Sequence, residues 1–211
     1  NHMKTRFTLT ALALTSALAF STSAMAAEKT GVFNVHLKLT GTCEVLTTDT
    51  GLSGTKITTD SPNLAGADID FGTHTASSTS PKIDKNNVGG ASNGIQINCS
   101  KNTPFTVALE PQNVKTANGK GTMQGITSGN TDTIAYQLYK PTVTGSGLTT
   151  TITETATSNP WGTGSDVLSL TGKGLDSNAT IKLPVFAAVP AGELDKFVDT
   201  YQDQVKVTLA Y

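Results

Sequence analysis

The chain is short of arginine, aromatic residues and cysteine, and each shortage closes off a class of function. Arginine occurs once, as Arg6. A chain with a single guanidinium and no basic cluster is a poor nucleic-acid binder, because phosphate neutralisation supplies most of that affinity. It also lacks the bidentate forks usual at phosphate sites. The two cysteines, Cys43 and Cys99, match neither a C-x-x-C pair nor a zinc spacing. Past residue 27 only His36 and His74 remain, and neither has a neighbour in sequence that argues for a Ser–His–Asp arrangement. Gly119-Lys120-Gly121 has neither the spacing nor the following helix of a phosphate cradle. The catalytic inventory is empty; no enzyme, metal or cofactor is expected.

Asn1-His2 precede Met3 and read as a cloning scar. Lys4 and Arg6 then form a short basic region. Phe7 to Phe20 is a mostly apolar run, and Ala24-Met25-Ala26 is an A-x-A cleavage pattern. Together they predict a secretory signal peptide over 1–26, cut before Ala27. The run is broken by Thr and Ser, and no later stretch reaches the ~20 apolar residues of a transmembrane helix. Cleavage removes two of the 15 basic residues and none of the 16 acidic ones, moving the formal net charge from −1 to −3. Export to an oxidising compartment makes one disulfide the simple expectation for Cys43 and Cys99. Closing a loop of that length stabilises by about 4 kcal/mol in the chain-entropy picture.

What the chain does have is alternation. In Thr30 to Gly41, reading TGVFNVHLKLTG, Phe33, Val35, Leu37 and Leu39 fall on one face of an extended strand; Val32, Asn34, His36 and Lys38 fall on the other. Such a strand can pair within its own domain or complete another molecule's sheet. Further strands are predicted around Lys56–Thr59, Asp68–Gly72, Gly94–Ser100, Phe105–Glu110, Thr133–Tyr139, Val167–Leu170 and Ala179–Val189. Gly94–Ser100 and Phe105–Glu110, joined by Lys101-Asn102-Thr103-Pro104, read as a hairpin. Pro184 marks an edge or bulge. Thr200–Tyr211 closes the chain with Val205, Val207, Leu209 and Tyr211 on one face. Residues 73–94, 111–131 and 142–160 read as polar loops. Short strands separated by Gly/Ser/Thr-rich turns, with no helical periodicity after the signal peptide, predict an all-β sandwich in one domain.

Three smaller features have bland readings. Asp68 and Asp70 share one side of a strand and could bind calcium, but fit solvated edge charges better. Asn98-Cys99-Ser100 and Asn178-Ala179-Thr180 match the glycosylation triplet, a frequent chance pattern. Trp161, in Pro160 to Gly164 (PWGTG), could stack on a sugar or plug a loop.

Taken in order, TGVFNVHLKLTGTCEV, IDFG, IQINCSKNTPFTVALE, IAYQLYK, PWGTG and LPVFAAVPAGELDKFVDTYQDQVKVTLAY resemble the spore coat protein U family, and within it the Csu-type major pilins of archaic chaperone–usher fimbriae. The resemblance runs from Thr30 to Tyr211. It implies an incomplete immunoglobulin-like β-sandwich (42–211) completed by a donor strand (27–41) from a neighbouring subunit. Phe33, Val35, Leu37 and Leu39 would be the donor residues, and Val205, Val207, Leu209 and Tyr211 the groove-edge strand. A periplasmic chaperone would hold the groove first and grip the Tyr211 carboxylate. An outer-membrane usher would then exchange it for the next subunit, building surface fimbriae for adhesion and biofilm formation. Cys43–Cys99 would be the family disulfide. Thr142 to Asn159 is longer than the family pattern, and Phe71-Gly72-Thr73-His74 lacks the commoner aromatic after the glycine. The alternative function is a secreted, self-complete β-sandwich, a carbohydrate-binding or coat protein with Trp161 and the Thr-rich loops as its surface.

Overall fold

The computed structural model describes residues 28–47, 66–89 and 92–211. The expected signal peptide and the weak strand at Lys56–Thr59 lie outside these residues. The chain divides between Lys38 and Leu39. From Glu28 to Thr42 no strand or helix forms and every residue is exposed.

The body, Leu39–Tyr211, is all-β. Its strands are β1 (Cys43–Leu46), β2 (Ile83–Asn86), β3 (Val88–Gly89), β4 (Ser92–Asn93), β5 (Ile95–Cys99), β6 (Pro104–Pro111), β7 (Lys120–Gly125), β8 (Thr133–Thr144), β9 (Thr151–Pro160), β10 (Leu168–Thr171), β11 (Ile181–Leu183), β12 (Phe186–Val189), β13 (Tyr201–Gln202) and β14 (Val205–Ala210). One sheet has the order β1-β5-β11 and a second β10-β6-β14. A third runs β13-β7-β8-β12-β2, with β9 along β8; β3 and β4 form a ribbon. All pairings are antiparallel.

Alternation decides the core. Ile95, Ile97 and Cys99 of β5 and Phe105, Val107 and Leu109 of β6 are all buried. They make one cluster with Tyr136, Leu138, Leu168, Leu170, Ile181 and Leu183. Each strand turns every second residue inward, so two sheets can bury one face apiece. In this frame β5 and β11 are the adjacent pair of one sheet, and β6 and β14 that of the other. This is the B–E and C–F pairing of an immunoglobulin-like sandwich.

Several expectations need correction. β5 and β6 do not form a hairpin: the Lys101–Thr103 turn carries the chain from one sheet to the other. Alternation is equally strong on strands that face each other across a core, so periodicity could not separate the two cases. Asp68–Gly72 is not a strand, although Ile69 and Phe71 pack on the core. Residues 73–94 contain β2, β3 and β4, the 111–131 passage contains β7, and 142–160 contains all of β9 and the end of β8. Their Thr, Gly and Ser content hid strands that are mostly exposed, as β2 and β9 are, or whose buried positions are glycines, as in β7.

Pro184 interrupts a predicted strand that becomes β11 in one sheet and β12 in another. Proline has no N–H for the ladder, and buried Asn87 mends the gap. Its Oδ1 accepts from the Val185 amide at 2.7 Å and its Nδ2 donates to the Ala67 carbonyl at 2.9 Å. Trp161 is fully buried, with Nε1 donating to the Val107 carbonyl at 2.9 Å. A Cβ at Gly119 would collide with the Trp161 carbonyl. That glycine therefore has a packing reason, and the tryptophan is no sugar platform.

Candidate functional site: an uncovered groove between two edge strands

β6 has a neighbour on each side. On one side Leu168 and Leu170 of β10 stand opposite Val107 and Phe105, and all four are buried. On the other side Val205, Val207 and Leu209 of β14 stand opposite Pro111, Leu109 and Val107. Directly opposed residues share a face of the sheet, so these three also point inward. Yet all three are only half-buried. Lys206 and Ala210, on the other face, are exposed.

β5 repeats the asymmetry. Ile181 of β11 lies opposite Ile97 and is buried. Val45 of β1 lies opposite the same Ile97 and is 38% exposed. Two inward-facing apolar rows, one on β14 and one on β1, are thus left open to solvent. Among the described residues, β14 pairs only with β6 and β1 only with β5. The two edges approach each other without pairing. In an immunoglobulin-like sandwich a further strand, G, pairs with the F strand; on β14 no described strand takes that place. A strand inserted between β14 and β1 needs two spacings of ~4.8 Å. β1 is short, with three of its four residues exposed.

Cys43 and Cys99 are directly opposed partners on β1 and β5, with Cα atoms 4.1 Å apart, and they form a disulfide. The bond fixes β1 to β5 at its first residue. The start of β14 is held differently. Asp203 breaks the predicted closing strand into β13 and β14: its Oδ1 accepts from the Asn113 and Gln204 amides at 2.9 Å and 2.8 Å. Its Oδ2 accepts from the Tyr136 hydroxyl at 2.8 Å. Burial pushes the Asp203 carboxyl above its ordinary value, against those hydrogen bonds. Burial first, then the charge of Asp203, pushes the Tyr136 phenol far up, so it stays a neutral donor. No spacing along the chain pointed to this anchor, because Tyr136, Asn113 and Asp203 are distant in sequence.

The remaining candidates do not assemble into a site. His36 is exposed, and His74 Nε2 lies 2.8 Å from the Phe71 carbonyl. Asp70 Oδ1 caps its own turn, accepting from the Gly72 amide at 2.7 Å. Among the described residues no group of three or more His, Cys, Asp or Glu could hold a metal. Asn98 Nδ2 donates to the Asp176 carbonyl, and the Thr180 hydroxyl donates to Asn98 Oδ1. Phe33, Val35, Leu37 and Leu39 are exposed, Phe33 by 88% and Leu37 by 81%.

Fold and groove define the class: an all-β, incomplete immunoglobulin-like sandwich with an open strand position beside β14. The chain matches the Spore Coat Protein U domain family over residues 29–208 and belongs to that family. No curated protein sequence matches it. Among solved structures it is similar to a chain in the CsuC–CsuE chaperone–tip adhesion subunit pre-assembly complex from the archaic chaperone–usher Csu pili of Acinetobacter baumannii. The identity is 17% and the TM-score 0.40, over 82% of this chain and 40% of that chain's length.

Proposed function

We propose that this protein is a structural, non-enzymatic subunit of a surface fimbria of the chaperone–usher type, linked to its neighbours by donor-strand complementation. One observation carries the reading. β14 presents an uncovered inward row at every second residue, and the same chain carries an exposed apolar row, Phe33, Val35, Leu37 and Leu39, at the same period.

A chain cannot fill its own groove in the immunoglobulin arrangement. Strand G runs antiparallel to β14, which would place Leu39 beside Val205. The Phe33–Leu39 stretch covers six residue steps, ~20 Å of strand. Cys43 begins β1 at the opposite end of the groove, and Thr40-Gly41-Thr42 reaches at most about 14 Å. The segment therefore goes to another copy. That contact is heterologous and does not close on itself, so it builds a filament. Burying four large side chains contributes roughly 1.5–3 kcal/mol each, plus a ladder of backbone hydrogen bonds.

An empty groove is an aggregation hazard. A periplasmic chaperone covering it, and an outer-membrane usher exchanging chaperone for subunit, complete the reading. With Trp161 buried, the self-complete carbohydrate-binding alternative loses its platform.

The test is Leu37→Asp in the full chain. Burying that carboxylate is prohibitive, so the laddered multimers of unheated gels should vanish while the chaperone still co-purifies. Loss of chaperone binding as well counts against a donor role. A chain lacking Thr30–Leu39 that stays soluble and monomeric without a partner would sink the open-groove reading.

A further inference from the structure

The outer face of the third sheet carries rings where water favours polar side chains. Ile134, Tyr136 and Leu138 of β8 are buried in the core, so Tyr139 points to the opposite face. Tyr139 stands opposite Pro160 of β9 on one side and Phe186 of β12 on the other. Directly opposed residues share a face, and all three are only half-buried. Tyr139 and Phe186 line a cleft of about 390 Å³, a size that holds a small ligand.

One wall of the cleft is a bulge in β9. Tyr139 opposes Pro160 and Pro141 opposes Ala156, so Thr157, Ser158 and Asn159 stand against Lys140 alone. The bulge is pinned: the Thr157 hydroxyl donates to the Lys140 carbonyl at 2.9 Å and accepts from the Asn159 amide at 3.2 Å. Ser158, its middle residue, is exposed and lines the cleft. On the far side of β8 and β12 lies β2, and Lys82, Asp84 and Lys85 line the cleft there. Lys82 Nζ is 2.7 Å from Asp84 Oδ1. The Lys85 ammonium, the Tyr139 hydroxyl and the Ser158 hydroxyl have no partner among the described residues.

We infer that this cleft binds a uronic-acid unit of an acidic polysaccharide, with the sugar ring on Tyr139 and Phe186 and its carboxylate on Lys85. The three kinds of wall match three kinds of group on one ring. The C–H face of a sugar carries slight positive charge and suits the negative face of an aromatic ring. Its hydroxyls find Ser158, the Tyr139 hydroxyl and Asp84. Its carboxylate finds Lys85, because Lys82 and Asp84 neutralise each other and leave the lining with one positive charge. The whole chain carries a formal net charge of −1, which disfavours a denser polyanion such as a nucleic acid or a sulfated glycan. Taken with the proposed filament, the cleft would repeat along a fibre and hold a long polyuronate by avidity.

The experiment is calorimetric titration of the full chain with a short oligogalacturonate and with its methyl ester, which keeps the rings and loses the charge. The acid should bind saturably and the ester at least about fivefold more weakly, the worth of one exposed ion pair. Lys85→Gln should weaken the acid to the same degree, whereas Lys101→Gln, on a distant turn, should leave it unchanged. Tyr139→Leu, which keeps apolar cover over the sheet but loses the ring, should weaken both ligands about tenfold. Should that variant fail to fold, the ester and the lysine pair decide the matter without it. Absence of saturable binding, equal affinity for acid and ester, Lys85→Gln without effect, or an equal loss from Lys101→Gln each overturns the site. None of these outcomes touches the donor-strand reading, because neither β1 nor β14 lines the cleft.

Discussion

On one flank of β6, Leu168 and Leu170 of β10 are buried; on the other, Val207 and Leu209 of β14 are half-exposed, although they are of the same apolar kind and point to the same side. The same contrast recurs on β5 between Ile181 and Val45. Composition cannot explain it, because a leucine or valine gains from leaving water wherever it sits. Topology does. The covered residues face the rest of the core, whereas β14 and β1 lie on either side of a position that no described strand occupies.

The largest effect that would sharpen this contrast comes from the disulfide. β1 is a four-residue strand with an exposed edge, and Cys43–Cys99 closes 56 residues of chain. Replacing both cysteines by alanine should cost about 4 kcal/mol, read from urea denaturation of the chaperone-released or peptide-filled subunit. It should also release one wall of the groove, so donor-peptide affinity should fall with it. Unchanged affinity would mean that β1 is not a wall.

Next comes a paired truncation. Leu170→Ala should cost about 2–5 kcal/mol whether or not the groove is filled, because its site is already closed. Leu209→Ala should cost less than half as much in the empty subunit and approach the Leu170→Ala value once the Thr30–Leu39 peptide is bound. Equal costs in the empty state would erase the distinction between the flanks.

The smallest effect concerns Asp199, in the loop before β13. Burial alone would raise the Asp199 carboxyl, but hydrogen bonds from Asn130, Thr127 and Thr200 together outweigh it and lower the pKa from 3.8 to about 2. A depressed folded-state value means the native protein binds fewer protons than the unfolded chain between these limits. The resulting stability is present above about pH 4 and is lost as pH falls through about 2. Asp199→Asn should therefore be less stable than the unsubstituted chain at neutral pH, and the gap should close over that window. A gap independent of pH would assign the loss to packing instead.

Much of the fold could be read along the chain. β5, β6, β8 and β14 announced themselves because one inward face and one outward face impose strict alternation on Ile95 to Cys99, Phe105 to Leu109, Ile134 to Leu138 and Val205 to Leu209. β7 and β9 did not: in Lys120–Gly125 the buried positions are glycines, Gly121 pressed against Tyr136, and Thr151–Pro160 is mostly exposed, where Thr serves as well as Val. The apolar alternation of Phe33–Leu39 was also plain along the chain, although that segment forms no strand in the structure, and the two cysteines that the structure joins were legible as a pair.

Sequence alone determined which residues repel water and at what period, because side-chain chemistry and the two-residue pleat belong to the chain itself. Tertiary structure decided which of those rows found cover. It sent β5 and β6 to opposite sheets, split the last strand at Asp203, sank Trp161 into the core and left the row on β14 facing an open strand position. Cover depends on what lies across a gap in space, and no spacing along a chain encodes that.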